Sequence, residues 1–230
     1  MYVYGKNVAH EIINDNSKIK KAFLSKKFDD KKIINELNKN KIKIKYLDKT
    51  EMDKMVDGNH QGIIFDVVDY EYSDIDELIT QEDDTIVILD HLEDPHNFGA
   101  IIRTCEAAGV SGIIIPKDRS VSINSTVMKV STGALDRVKV CQVTNLSQNI
   151  DYLKKKGFWI VGTDMEGIDY KEIDYKGKIA IIIGNEGKGM SDIITKNCDF
   201  IATIPMRGKI NSLNASVAAG IIIFEAIRGK

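Results

Sequence analysis

Six short apolar runs, rich in Ile and Val, alternate with helical stretches after residue 84. The runs occupy residues 85–90, 112–116, 138–143, 158–163, 178–184 and 200–205. Their residues do not alternate between apolar and polar, which is typical of parallel strands covered on both faces. The stretches of helical composition between them are residues 97–108, 122–135, 146–156 and 192–197. This order predicts an α/β fold with a mostly parallel sheet, and ligands of such sheets bind beyond the carboxyl ends of the strands.

The chain before residue 70 holds shorter elements, which predict a small α/β domain of its own. Strands are predicted at residues 18–25, 41–48 and 60–68, and helices at residues 5–14 and 29–40, the second with Asp29 or Asp30 near its N-cap. An acidic stretch without a clear period then predicts a linker that contains a short helix at residues 75–79. We therefore divide the chain into a first domain at residues 1–70, a linker at residues 71–83 and a second domain at residues 84–230.

Charge is distributed unevenly along the chain, although the net charge is only −2. Residues 1–49 contain 13 Lys against 6 acidic residues, whereas residues 55–102 contain 13 acidic residues and neither Lys nor Arg. The first segment predicts a basic surface that contacts phosphates, for which the candidates include Lys18, Lys20, Lys21, Lys43 and Lys45. A solvated face of a Lys-rich protein explains the same pattern, so charge alone does not decide between the two interpretations.

Composition and cysteine spacing indicate a soluble, cytoplasmic protein. No apolar run approaches the ~20 residues that span a bilayer, and the N-terminus lacks the architecture of a signal peptide. The cysteines are scattered, which indicates reduced thiols at Cys105, Cys141 and Cys198.

The segment DHLEDPH holds His91, Asp94 and His96, but Pro95 interrupts it and the two histidines do not share a helical face. We therefore predict no metal site.

A glycine-rich turn with the sequence GNEGKGMS follows the fifth apolar run, at residues 184–191. Its spacing matches the phosphate-binding pattern G-x-x-x-x-G-K-[ST], but Met190 stands where that pattern has Lys. No evident magnesium-binding carboxylate follows a strand either. A nucleotide hydrolase built on this turn is therefore an alternative that the sequence disfavours.

Three polar segments lie at or just after predicted strand ends. The first contains Asp94, Pro95, Asn97, Gly99 and Arg103, and the second contains Gly184, Glu186, Gly187 and Gly189. The third contains Ile204, Pro205, Met206, Gly208, Ser212, Leu213, Asn214, Ser216 and Ala218. In order and spacing these segments resemble the three motifs of the SpoU (TrmH-like) family of RNA ribose 2′-O-methyltransferases, and the resemblance covers essentially the whole chain. The first seventy residues, with YGKNVAHEII and HQGIIF, are similar to the substrate-binding domain joined to many members.

The resemblance implies a trefoil-knotted (SPOUT) α/β methyltransferase domain preceded by a small L30e-like α/β domain that binds structured RNA. It implies S-adenosylmethionine as the cofactor and a homodimer with the active site at the subunit interface, without a membrane partner. The two-domain layout is most similar to bacterial 23S rRNA guanosine 2′-O-methyltransferases. A tRNA ribose 2′-O-methyltransferase and a non-catalytic RNA-binding protein of the same fold are the alternatives.

The resemblance also indicates which residues act at the reacting centre. Arg103 is the strongest candidate, since it is the only basic residue between Lys54 and Lys117. Proposals for the family make it the base, but a guanidinium stays protonated and is better suited to orienting the 2′-hydroxyl and clamping the neighbouring phosphate. Asn97 either contacts RNA, holds Arg103 or caps the following helix. Glu186 either orients Arg103 or the third segment, or is a solvated acid in a turn.

The third segment supplies further candidates for catalysis and cofactor binding. A helix is expected to begin at Asn211 or Ser212, which places Ser212 and Asn214 in its first turn, where side chains and backbone donors can face a ligand. The alternative is that Ser212 caps the helix and Asn214 is merely exposed. The expected cofactor-binding residues are Gly184, Ile204 and Leu213, with Thr163 and Met206 as weaker additions. Without the motif match, core packing alone explains the apolar members of this set.

Overall fold

The computed structural model describes residues 1–13, 19–209, 212–228 and 230, with only the backbone of Glu11. These residues form two compact units. The first consists of Met1–Glu71 together with Ile123–Gly133, and the second of Tyr72–Ser122 together with Ala134–Lys230. The inclusion of residues 123–133 in the first unit has no counterpart in the division drawn from the sequence. Lys18 and Asn211, which the sequence analysis singled out, lie outside the described residues.

Within these described ranges, the first unit contains a mixed sheet with strand order β1-β4-β2-β3. Its strands are β1 (Tyr2–Tyr4), β2 (Ile19–Ser25), β3 (Ile44–Leu47) and β4 (Ile63–Val67). Its helices are α1 (Lys6–Ile12), α2 (Lys31–Lys39), α3 (Lys49–Asp53) and α5 (Ser125–Ser131). Strand β2 runs parallel to β3 and antiparallel to β4. Strand β1 and helix α3 were not predicted from the sequence, because they are too short to show a periodic pattern.

Helix α2 shows how local chemistry sets the core of the first unit. The side chain of Asp30 accepts a hydrogen bond from the Ile33 N–H at 3.3 Å, which identifies Asp30, not Asp29, as the N-cap. Ile33 and Leu37 lie one helical turn apart and are both fully buried in the core of this unit. Met128 of α5 packs against the same core, so this helix completes the first unit.

The turn at residues 57–62 joins three elements of the first unit through side-chain hydrogen bonds. The Tyr4 hydroxyl donates to the Asp57 carbonyl at 2.9 Å, and the Gln61 side chain accepts from the Lys6 N–H at 2.8 Å, at the start of α1. The buried His60 accepts the Gly62 N–H at Nδ1, so its proton lies on Nε2. That nitrogen lies 2.9 Å from a carboxylate oxygen of Asp53, to which it donates. The HQG sequence therefore has a structural role in this turn.

The second unit is built on a six-stranded sheet in which every strand pair is parallel, as the sequence predicted. Its strands are β5 (Thr85–Leu89), β6 (Gly112–Pro116), β7 (Val140–Val143), β8 (Trp159–Asp169), β9 (Ile179–Ile183) and β10 (Phe200–Thr203). The sheet order is β10-β8-β9-β5-β6-β7. Strand β8 extends well beyond its apolar run, since its second half is exposed and polar and lacks the apolar signal.

Two of the helices predicted after residue 84 differ in extent from those in the structure. The second unit contains four helices among the described residues. They are α4 (Pro95–Ala107), α6 (Leu146–Lys155), α7 (Asp192–Lys196) and α8 (Ala215–Ile227), with 3₁₀ turns at Ile75–Leu78 and Ala134–Asp136. The helix predicted at residues 122–135 is wrong in extent, because Thr132 at φ 46° and Gly133 at φ 78° end α5 in left-handed conformations. Helix α8 begins at Ala215 rather than at Asn211 or Ser212, because Asn214 caps it.

None of the helices among the described residues is long and apolar enough to cross a membrane. All three cysteines are free; Cys105 and Cys141 are buried, whereas Cys198 is half-buried. Burial raises the pKa of the Cys105 thiol far above its ordinary range and raises the pKa of Cys198 to about 11. A raised pKa lowers the thiolate fraction at neutral pH and with it the reactivity of both thiols.

Candidate active site

A cavity of about 860 Å³ opens beside the residues that follow β9 and β10. Its wall also includes part of β8 and the start of α8, so it lies beyond the carboxyl ends of parallel strands, where the sequence predicted a ligand. Seven of the predicted site residues line it: Thr163, Gly184, Glu186, Ile204, Met206, Ser212 and Leu213. All five predicted cofactor residues are among these seven. Segments that lie far apart in the sequence therefore meet at one site.

The glycine-rich turn after β9 is closed by its own backbone. Asn185 and Gly189 exchange two backbone hydrogen bonds of 3.0 and 2.9 Å, and Gly189 has φ 70°. A Cβ atom on Gly184 would lie 2.5 Å from the backbone of Gly189 and Met190, so only glycine fits there. Met190 is buried and packs in the core of the second unit. The residue in the position of a phosphate-binding Lys is therefore part of the core, and the turn is not a degraded phosphate loop.

Glu186 of the glycine-rich turn contacts Asn97 of the first motif. The Asn97 amide is 6% exposed and donates from Nδ2 to Glu186 Oε1 at 3.0 Å. The interpretation of Asn97 as an N-cap is wrong, because the Asp94 side chain caps α4 by accepting from the His96 N–H at 2.9 Å. Glu186 is therefore hydrogen-bonded to Asn97. Within the described ranges, no hydrogen bond or ion pair joins Glu186 to Arg103. The bond links α4 to the turn that forms one wall of the cavity.

Arg103 and Asn214 are not among the residues that line the cavity. The Arg103 side chain is exposed on α4, and its guanidinium has no hydrogen bond or ion pair with any residue that the structure describes. Asn214 caps α8, since its Oδ1 accepts from the Ser216 N–H at 2.9 Å and from the Ser216 hydroxyl at 2.6 Å. The capping role proposed as an alternative for Ser212 therefore belongs to Asn214, and Ser212 faces the cavity.

Several cavity residues escaped the sequence analysis, and two of them are charged residues from the exposed second half of β8. Asp164 and Glu166 line the wall without pairing to any cation in the described parts of the chain. Among the described residues, the Asp164 side chain accepts only from the neighbouring Met165 N–H, at 2.6 Å. Lys188 of the glycine-rich turn also lines the cavity. The signal that could have identified the two acids is their position within three residues after Thr163, at the end of an apolar run.

In the DHLEDPH segment, His91 pairs with a carboxylate and Asp94 has a capping role. His91 Nδ1 lies 2.6 Å from a carboxylate oxygen of the buried Asp90, and Asp94 caps α4. Across the residues that the structure describes, no group of three or more His, Cys, Asp or Glu side chains is arranged to hold a metal ion.

Comparison with known families matches both units of the chain. Residues 84–224 match the model of the SpoU rRNA Methylase family. Residues 2–73 match the model described as RNA 2′-O ribose methyltransferase substrate binding. Together the two matches account for nearly the whole chain.

Individual relatives agree with these matches over most of their lengths. A protein of Bacillus subtilis strain 168, YacO, assigned to the TrmH family of tRNA/rRNA methyltransferases, is 41% identical over 100% of this chain and 96% of its own length. The crystal structure of an AdoMet-bound rRNA methyltransferase from Sinorhizobium meliloti aligns with TM-score 0.76 and 26% identity over 99% of this chain and 86% of that one. The SpoU methyltransferase AviRb from Streptomyces viridochromogenes, crystallised with AdoMet, aligns with TM-score 0.79 and 24% identity over 99% and 89% of the two chains, and shows a shared fold.

The order of the three motifs, the cavity that the second and third motifs line and these matches agree with one another. The chain belongs to the SpoU rRNA methylase family of RNA methyltransferases.

Proposed function

We propose that this protein transfers a methyl group from S-adenosylmethionine to a ribose 2′-hydroxyl of structured RNA, with a guanosine of 23S rRNA as the target. The main support for the proposal is the 860 Å³ cavity in which seven predicted site residues from distant segments meet. A volume of this size is in the range of small-molecule and cofactor sites. Membership of the SpoU rRNA methylase family supplies the reaction class.

The cavity suits the cofactor in both its apolar and its charged parts. Ile204, Met206 and Leu213 offer apolar surface for the adenine ring, while the backbone around Gly184 allows close approach. Asp164 and Glu166 provide carboxylates for a molecule that carries an ammonium and a sulfonium charge. When bound, the cofactor supplies an activated methyl group on its sulfur.

Arg103 has the chemistry to bind RNA next to the reacting centre. Its guanidinium has no partner among the described residues, so no internal ion pair must break before it contacts a phosphate and the 2′-hydroxyl. Because a guanidinium remains protonated, its contribution is to position the hydroxyl and to stabilise negative charge on the attacking oxygen. Another group must therefore accept the hydroxyl proton.

A homodimer accounts for the location of Arg103 outside the cavity of its own chain. Helix α8 carries Val217 and Phe224, each 50% exposed, on a surface that a second copy can cover. We propose that the partner subunit brings its own Arg103 to this cavity. The proposal includes the trefoil knot in the parallel-sheet domain and the L30e-like fold in the first unit, whose exposed Lys20, Lys43 and Lys45 contact RNA phosphates.

A deletion strain tests the proposed reaction. Its rRNA and tRNA are mapped for lost 2′-O-methyl groups, and the strain is complemented with the wild type or with Arg103→Ala. Loss of one 23S guanosine methyl group that only the wild type restores supports the proposal. Loss of a tRNA mark favours the tRNA alternative, and no loss in either RNA favours a non-catalytic RNA-binding protein. Tight, magnesium-dependent ATP binding in calorimetry would instead support the hydrolase.

Mixing two inactive variants tests the shared site. Arg103→Ala retains an intact cavity and Gly184→Ala retains an intact arginine, so a mixed dimer holds one complete site only if the arginine acts across the interface. We expect the mixture to regain methyltransferase activity that neither variant shows alone. An inactive mixture of variants that demonstrably exchange subunits contradicts a site shared between subunits, and a concentration-independent monomer mass in sedimentation contradicts the dimer.

A further inference from the structure

Asp90 is a buried carboxylate next to the candidate active site that none of the three motifs includes. It directly follows β5 and is 1% exposed. Its Oδ2 accepts hydrogen bonds from the Ser191 N–H at 2.8 Å and from the Ser191 hydroxyl at 3.1 Å. Its Oδ1 lies 2.6 Å from His91 Nδ1. A fully buried acidic side chain with three partners requires a specific structural or functional reason.

These contacts fix the glycine-rich turn at both ends. At its beginning, the Asp90 N–H donates to the Ile183 carbonyl at 2.8 Å, and the Asn185 amide donates to the His91 carbonyl at 2.8 Å. At its end, Ser191 is held by the Asp90 carboxylate. One residue pair after β5 therefore determines where the turn lies against the sheet.

We infer that Asp90 is a positioning residue that holds the glycine-rich turn in the conformation that binds the cofactor. This inference rests on the proposed function, because it assigns cofactor binding to the same cavity. A carboxylate suits this position because both of its oxygens are acceptors: Oδ2 faces two Ser191 donors and Oδ1 faces His91 Nδ1. An amide at position 90 has one acceptor oxygen and one donor nitrogen, so it offers an acceptor to only one of these two partners and lacks the charge.

Asp84 provides a matched control at the opposite end of the same strand. It directly precedes β5 and is 2% exposed. Its carboxylate accepts from the Thr80 N–H at 2.6 Å, the Gln81 N–H at 2.9 Å and the Ser111 hydroxyl at 2.6 Å. Asp84→Asn therefore disturbs a comparable buried network of the second unit without touching the turn or the cavity.

The test compares Asp90→Asn with Asp84→Asn in the full-length protein by calorimetry with S-adenosylmethionine and by steady-state kinetics. For Asp90→Asn we expect about tenfold weaker cofactor binding, equivalent to the loss of one hydrogen bond to a charged group, and a larger change in the cofactor KM than in kcat. For Asp84→Asn we expect binding within about twofold of the wild type, together with a similar loss of thermal stability. Equal weakening by both variants, or unchanged binding in Asp90→Asn, overturns the inference.

A second measurement keeps the inference separate from the proposed function. Lys188 is an exposed trypsin site inside the turn, and Lys176 is an exposed site elsewhere in the second unit. We expect Asp90→Asn to accelerate cleavage after Lys188 and not after Lys176. If the wild type does not bind S-adenosylmethionine, the proposed function fails, and cleavage after Lys188 still decides whether Asp90 holds the turn. If Asp90→Asn does not fold, Ser191→Ala removes the hydroxyl bond alone, and unchanged cofactor affinity and cleavage in that variant overturn the inference.

Discussion

The hydrogen bond between Asn97 and Glu186 connects the first and second motifs, and its removal should measurably weaken the second unit. Asn97 is almost fully buried, whereas Glu186 is exposed, and the two atoms lie 3.0 Å apart. A hydrogen bond to a charged group contributes about 1.5–3 kcal/mol. Because water can replace Asn97 at the exposed carboxylate, we expect a coupling energy at or just below the lower limit of this range, about 1–1.5 kcal/mol.

A double-mutant cycle with Asn97→Ala, Glu186→Ala and both together measures this coupling. The chain has a single tryptophan, Trp159 in β8, so its fluorescence during urea unfolding reports on the second unit. The exposed ion pair between Glu106 on α4 and Arg137 is the control, and its cycle should give less than about 0.5 kcal/mol. A coupling below about 0.3 kcal/mol for Asn97 and Glu186 means that the two residues act independently, and it would refute the reasoning.

Three further results are expected. Gly184→Ala should weaken S-adenosylmethionine binding in calorimetry by at least about tenfold, because the added methyl group overlaps the opposing backbone of the turn; unchanged affinity contradicts this geometry. Burial raises the pKa of Asp84, but hydrogen bonds led by the Gln81 N–H outweigh it and hold the pKa below its ordinary range. Its stabilising effect is therefore present above about pH 4 and is lost as pH falls through the folded-state pKa, so Asp84→Asn should flatten that part of an acid-unfolding curve. Neutralising Asp164 and Glu166 should weaken binding of the cofactor at least about twofold more than binding of the thioether product, which lacks the sulfonium charge but keeps the ammonium, as measured by calorimetry; equal weakening contradicts a role based on the sulfonium charge.

The parallel sheet was predictable because buried strands leave a strong local signal. Each of the six apolar runs contains a strand, and the strand bounds differ from the runs by a few residues, except at β8. The second half of β8 is exposed and polar, so no apolar pattern marks it as a strand. The position of residues 123–133 in the first unit was not predictable, because it depends on packing such as that of Met128 against a core made by residues before 70.

The site residues that belong to a motif were predictable from the sequence. The hydrogen bonds that join residues far apart in the sequence were not. Cavity residues such as Leu213 and Gly184 followed from the motifs, and the cavity brings them together. Asn97 and Glu186 were both singled out, but their direct bond spans 89 positions, and local patterns do not reveal such a partner. Asp90 was missed for the same reason, since its Ser191 partner lies 101 positions away. The N-cap of α8 is Asn214 and not Ser212. The sequence does not show this, because the choice between neighbouring polar residues depends on backbone geometry.

Asp90 and the first motif that follows it contain residues that differ in how firmly they are held, and this difference fits the proposed reaction. Asp90 and Asn97 are buried and bonded to the glycine-rich turn, so the cofactor wall is formed before any substrate arrives. Arg103, six residues further along α4, is exposed and has no partner in the described parts of the chain. A preformed wall avoids the entropy cost of ordering the turn when the cofactor binds. An unpaired guanidinium avoids breaking an internal ion pair when RNA binds, so its full charge is available to the phosphate. The same helix can therefore stabilise one ligand site through its buried end and contact a second ligand through its exposed surface.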